Sequence, residues 1–142
     1  QYQHTEFGYN YRMTDISAAI GREQLKKLPK FNSRRREIAE RYNSELSDLV
    51  ITPKNRRGHV FHQYTIRSTA RDELREFLMN RKINTGIYYP SLLYNYPSMA
   101  AYQSSCPNAE TLINEVLSLP VHPALSDSDV FEVISSIKAF FE

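Results

Sequence analysis

The sharpest grouping of chemically capable residues is Gly8-Tyr-Asn-Tyr-Arg-Met-Thr14. It sets an amide, Asn10, and a guanidinium, Arg12, on alternate positions between two phenols. In an extended backbone alternate side chains share a side, so Asn10 and Arg12 point the same way. An amide beside a planar cation suits a phosphate or a carboxylate. The segment also reads as a capping stretch with surface polar groups, and residue types alone leave both readings open.

A second grouping lies in 88–105, which holds Tyr88, Tyr89, Tyr94, Tyr96 and Tyr102 together with Pro90 and Pro97. A long segment without periodicity is usually functional or disordered, and five tyrosines argue against disorder. If Ile83 to Tyr89 is a strand, Tyr88 and Tyr89 point to opposite faces. Pro90 then stops the strand and starts a loop, the usual place for binding groups.

Other chemistry is missing. His59 and His62 are three apart, which on a strand places them on opposite faces, and His4 and His122 are distant, so no metal site is expected. His62 is read as a satisfied core histidine. Cys106 precedes a proline with no histidine placed to activate it. Only four glycines are present, and there is no glycine-rich phosphate loop, HExxH, CxxC or GxSxG. Arg34, Arg35 and Arg36 are consecutive and spread over about 200° of a helix, so they read as a solvated face rather than a nucleic-acid patch.

These groups need elements to hold them. Thr14 and Asp15 suit a helix start, and Ala18, Gly21, Leu25 and Leu28 recur at helical spacing. The helix 14–28 is read as buried core, ended by Pro29. A second amphipathic helix is predicted over 30–48 from Phe31, Ile38, Tyr42 and Leu46, with Arg36–Glu40 and Glu37–Arg41 pairs on its polar side. Strands are predicted near 50–52, 60–67 and 84–89. In 60–67, Val60, His62, Tyr64 and Ile66 share a face. Helices are predicted near 70–81, 108–117 and 126–141, the last capped by Ser126, and Leu119 to Pro123 reads as extended. The fold class is α+β, a small largely antiparallel sheet packed with helices, two of them long and N-terminal.

At 142 residues, with 41% hydrophobic and 24% charged, the chain is one domain with a core. Its formal charge of +2 gives no argument for nucleic acid. No apolar run approaches the roughly 20 residues that span a membrane. No signal peptide is recognised, and one cysteine forms no internal disulfide, so a cytoplasmic protein is expected. The sequence opens on Gln1, and residues 1–13 lack periodicity. The chain is therefore read as part of something longer, with 1–13 packing on a missing large domain or a dimer partner.

The run GYNYRMTDISAAIGREQLKKL resembles the GxNxR segment and following helix of the DegT/DnrJ/StrS aminotransferases. The likeness continues through RRREIAERYNSEL, HVFHQYTIR, INTGIYYPSLLYNYPSM and SLPVHPALSDSDV, in the family's order. It implies the C-terminal small domain of a fold-type I, pyridoxal-phosphate enzyme that aminates nucleotide-linked keto sugars with a donor such as glutamate. It also implies a homodimer in which Asn10 reaches the cofactor phosphate of the partner subunit. Arg12 would lie on the sugar-nucleotide side. Tyr88, Tyr89 and Tyr94 would belong to the loop that borders substrate, with Tyr94 further out. The family commonly has histidines where Tyr88 and Tyr94 stand, so the sugar cannot be carried over. None of Lys26, Lys27, Lys30, Lys54, Lys82 and Lys138 matches the family's Schiff-base segment. No catalytic residue is therefore assigned, and the chain alone is expected to be inactive. A non-transaminating relative, a dehydratase or a regulatory member, is the alternative, with a free-standing binding module as a third.

Overall fold

A computed structural model describes residues 5–142. The first element, α1, runs from Asp15 to Leu46 without a break. Thr14 caps it, its Oγ1 accepting the Ser17 N–H at 3.2 Å. Pro29 lies inside this helix, so the two N-terminal helices predicted from it are one. Proline's fixed φ is itself helical, and its missing N–H frees only the carbonyl four residues back. That carbonyl belongs to Leu25, which is 66% exposed, so water can serve it.

The two halves of α1 differ. Ile38, Ala39, Tyr42 and Leu46 recur at helical spacing and are buried. Ile16, Ile20, Leu25 and Leu28 are exposed, which corrects the reading of 14–28 as core. The apolar face is there, but nothing in the described chain reaches far enough along α1 to cover it.

The sheet has two antiparallel strands among the described residues, β1 (Tyr64–Arg67) and β2 (Val116–Leu119). Tyr64 faces Leu119 and Ile66 faces Leu117, four side chains that are all buried. The predicted strands near 50–52 and 84–89 shrink to single bridges, Ile51 with Arg67 and Gly86 with Ser118. Val116–Leu119, whose first two residues fell in a predicted helix, is a strand instead: α3 is only Pro107–Leu112, and the chain then extends to pair with β1.

The alternation predicted from Val60 onward fails at Phe61, whose φ is +48°. An aromatic residue rarely adopts this left-handed conformation, which costs about 1–2 kcal/mol. Full burial of the Phe61 ring offsets that cost, and the Phe61 N–H donates to His59 Nδ1 at 3.1 Å. The turn reverses the facing order before β1. Phe61 goes inward while Val60 and His62 stay exposed, so His62 is not a core histidine.

Helix α2 (Arg71–Asn80) follows β1, and α4 (Asp127–Phe141) closes the chain. Ser126 and Asp129 form a reciprocal capping box at the start of α4. Helix α4 packs on both α1 and α2, and Val130, Val133, Ile134 and Ile137 complete one core with the buried half of α1 and the sheet. The expected α+β class with a small antiparallel sheet holds.

Candidate functional site

Ahead of α1, residues 5–14 are irregular and exposed. The Tyr9 and Tyr11 rings stack with centroids 5.3 Å apart and planes at 18°, the i,i+2 relation of an extended chain. The Arg12 N–H donates to the Asn10 carbonyl at 3.1 Å, tightening the segment at Tyr11. Neither the Asn10 amide nor the Arg12 guanidinium has a side-chain partner among the described residues. His4 lies outside them.

A cavity of about 400 Å³ opens beside the end of β2. Its lining includes Arg35 from α1, His62 from the turn before β1, Asn84, Gly86 and Tyr88 from the segment bridged to β2, and His122 beyond it. The Gly86–Ser118 bridge is closed by backbone hydrogen bonds of 3.0 and 2.7 Å, and it fixes where Tyr88 emerges. The Tyr88 ring lies across Gly86. A Cβ there would run into the far edge of the Tyr88 ring, so glycine lets the ring lie flat against the backbone.

The three loop tyrosines separate. Tyr88 lines the cavity, whereas Tyr89 is 75% exposed and stands outside its lining. Tyr94 Oη donates to Glu110 Oε1 at 2.7 Å, and the Cys106 N–H donates to the same oxygen at 3.0 Å. The Tyr94 bond, with the Cys106 N–H next, holds the Glu110 carboxyl below its usual range, and the same bond raises the Tyr94 phenol. Asn10 and Arg12 are not brought to this cavity within the chain. Arg35, His62 and His122 are, although periodicity had sent Arg35 to solvent and His62 to the core. The six lysines lie outside the cavity lining; Lys26 pairs with Glu23 and Lys138 with Glu45.

The triple arginine is not uniformly a solvated face. Arg34 Nη2 donates to Asp127 Oδ1 at 2.8 Å and to the Leu125 carbonyl at 2.9 Å, and Arg41 joins the same carboxylate at 3.0 Å. The predicted Arg36–Glu40 and Glu37–Arg41 pairs are absent among the described residues; Glu37 meets Arg34 instead.

Residues 1–138 match the DegT/DnrJ/EryC1/StrS aminotransferase family. The chain belongs to that family. A pleiotropic regulatory protein of Geobacillus stearothermophilus is 39% identical over 99% of this chain and 40% of its own length. A GDP-perosamine synthase of Escherichia coli O157:H7 is 38% identical over 99% of this chain and 40% of its own. Among solved structures, a family aminotransferase from Brucella abortus superposes with a TM-score of 0.88 at 35% identity, over 99% of this chain and 39% of its own. DesV of S. venezuelae gives 0.89 at 34% identity, over the whole chain and 40% of its own. The chain thus spans about 40% of the length of the relatives it matches. A further relative, NtdA of Bacillus subtilis, carries bound PMP and gives 0.85 at 26% identity.

Proposed function

We propose that this chain is the C-terminal part of a pyridoxal-phosphate-dependent aminotransferase acting on a nucleotide-linked keto sugar. The observation that carries the reading is the family match over residues 1–138, with a GDP-perosamine synthase and a dTDP-amino-sugar transaminase of Streptomyces venezuelae among the relatives above 30% identity. The bound cofactor supplies the electron sink on which amino transfer depends. Asn10 fits a place against its phosphate: the amide sits on an exposed arm ahead of α1, without a side-chain partner among the described residues, and offers two N–H donors. In a homodimer that arm would serve the partner subunit's cofactor. Arg12, two residues on, would meet the sugar nucleotide, whose diphosphate suits a guanidinium. Tyr88, Tyr89 and Tyr94 would form the substrate-facing loop, with phenols that hydrogen-bond sugar hydroxyls.

The exposed apolar residues of 7–28 fit contact with the rest of the enzyme or its partner subunit. Phe7, Met13, Ile16 and Leu25 are all more than half exposed. None of the six lysines carries the family's Schiff-base segment, so the chain by itself would not transfer amino groups. The protein would work in the cytoplasm, where nucleotide sugars are found.

A second reading is favoured by one observation, the regulatory protein at 39% identity. In it the same domain belongs to a member that has lost transamination. Identifying the residue at the upstream Schiff-base position separates the two, lysine supporting the first. The direct test incubates the intact protein with pyridoxal phosphate, glutamate and a panel of nucleotide-linked keto sugars. Formation of an amino sugar with matching 2-oxoglutarate supports the proposal, and its absence across the panel with cofactor bound favours the second reading.

A further inference from the structure

We infer that the basic loop between Ile51 and Val60, together with these two apolar flanks, is a contact surface for an anionic lipid bilayer, weak and reversible. The inference rests on the loop alone and stands whether or not the protein transfers amino groups. Lys54, Arg56, Arg57 and His59 fall within six residues, and no Asp or Glu occurs from Leu49 to Arg71. All four of these residues are exposed. Lys54, Arg56 and Arg57 have no ion pair or side-chain hydrogen bond among the described residues. Other cations of the chain are matched: Arg34 and Arg41 meet Asp127, Arg67 meets Glu115 and Lys138 meets Glu45.

The loop is shaped to project these charges. The His59 N–H donates to the Arg56 carbonyl at 3.0 Å and closes residues 56–59 into a turn with Arg57 at its tip. Gly58 follows with φ +85°, a conformation that glycine adopts without a Cβ clash. A Cβ built on Gly58 would meet no atom within 4 Å, so the tip stands clear of the rest of the chain. His59 is anchored behind it. Its Nδ1 accepts the Phe61 N–H at 3.1 Å, and its ring packs on Phe61 with centroids 4.0 Å apart.

Charge alone would serve any polyanion, and two observations favour a bilayer over a nucleic acid. Exposed apolar residues flank the loop, Ile51 at 59% and Val60 at 41%. They suit the boundary between lipid headgroups and acyl chains, where basic and apolar side chains bind together. The loop also lacks an open aromatic face on which a base could stack: Phe61 is fully buried and His59 lies against it. Each Lys or Arg at an anionic membrane surface strengthens attachment about fivefold, so three of them give a preference of about a hundredfold over neutral lipid. Salt screens that preference away.

The test is co-sedimentation of the intact protein with phosphatidylcholine vesicles, with and without phosphatidylglycerol, at low and high salt. Binding to the phosphatidylglycerol vesicles alone, released by salt, is expected. Arg57→Gln is expected to weaken it about fivefold, and Arg56→Glu with Arg57→Glu to abolish it. Val60→Ser, which keeps every charge, is expected to weaken it as well. Arg75→Gln, an exposed arginine on α2, is expected to leave it unchanged. Arg57 is at an exposed tip, so Arg57→Gln decides the matter if the double variant fails to fold. Absence of binding to the anionic vesicles, equal binding to neutral ones, or binding unmoved by the loop variants or by Val60→Ser overturns the inference. So does tighter binding to single-stranded RNA that the arginine variants remove, which would make the loop a nucleic-acid surface.

Discussion

Single side chains carry two sharp expectations. Asn10 is exposed and outside the core, so Asn10→Ala should leave folding intact. In the intact enzyme it should weaken cofactor retention by one hydrogen bond to a charged phosphate, about 1.5–3 kcal/mol. Dialysis against cofactor-free buffer with absorbance readout measures this, and unchanged retention in an intact dimer removes Asn10 from the phosphate site. The tyrosines are separated by position. Tyr88 lines the cavity while Tyr89 does not, so Tyr88→Phe should raise the KM for the sugar nucleotide more than Tyr89→Phe. Both variants keep the ring and its packing and remove only the hydroxyl. Steady-state kinetics on the two decide it, and if neither parameter moves while both proteins stay folded, the loop is structural.

Between elements, a carboxylate ties α4 to α1 beside the buried apolar contact of the two helices. Asp127 is held below its ordinary range first by the Arg34 hydrogen bond and then by Arg41, and Asp129 is lowered by its bonds to Ser126. A group whose folded value is depressed stabilises the fold fully above its ordinary unfolded value. It loses that contribution as pH falls through the lower folded value. Stability should therefore be flat near neutrality and fall as pH drops below about 4, the ordinary carboxylate value. Asp127→Asn and Asp129→Asn together should make the fall shallower. Both carboxylates are at the surface, so the effect should shrink at high salt. Chemical denaturation across pH at two ionic strengths measures it. The sheet responds differently. Leu117 is fully buried on β2 opposite Ile66, and Leu117→Ala should cost about 2–5 kcal/mol regardless of pH, read from the same denaturation curves.

Over the whole molecule, burial and exposure divide along α1. The core draws on the second half of that helix, both strands, α2 and α4, whereas the first half shows solvent a row of apolar residues. The chain should accordingly fold around the core without the arm, while the arm's chemistry needs a surface beyond it. Borohydride treatment of the chain with pyridoxal phosphate should fix no single lysine in stoichiometric amount, as peptide mapping by mass spectrometry would report. One stoichiometrically labelled lysine would place the Schiff-base residue here.

Much of this architecture was legible in the sequence because it depends on neighbours a few residues apart. Thr14 and Ser126 announced helix starts through local capping, and Ile38, Tyr42 and Leu46 announced a buried face through a period that any helix must obey. The family likeness was equally local, carried by Gly8 to Thr14 and Leu119 to Pro123 in order. Other features turned on contacts distant in sequence. Pro29 did not end α1, because the carbonyl it frees lies on an exposed turn that water can reach. Val116–Leu119 became a strand because Tyr64–Arg67 was there to pair with it. Phe61 went inward through a left-handed turn that alternation does not contain, and His62 was turned outward with it. The cavity belongs wholly to this second class. Arg35, His62, Asn84 and His122 are separated by at least 22 residues at each step and share no pattern. Packing of α1, the sheet and its bridged segment brought them to one space, since which side chains meet is fixed by how faces are buried and not by spacing along the chain.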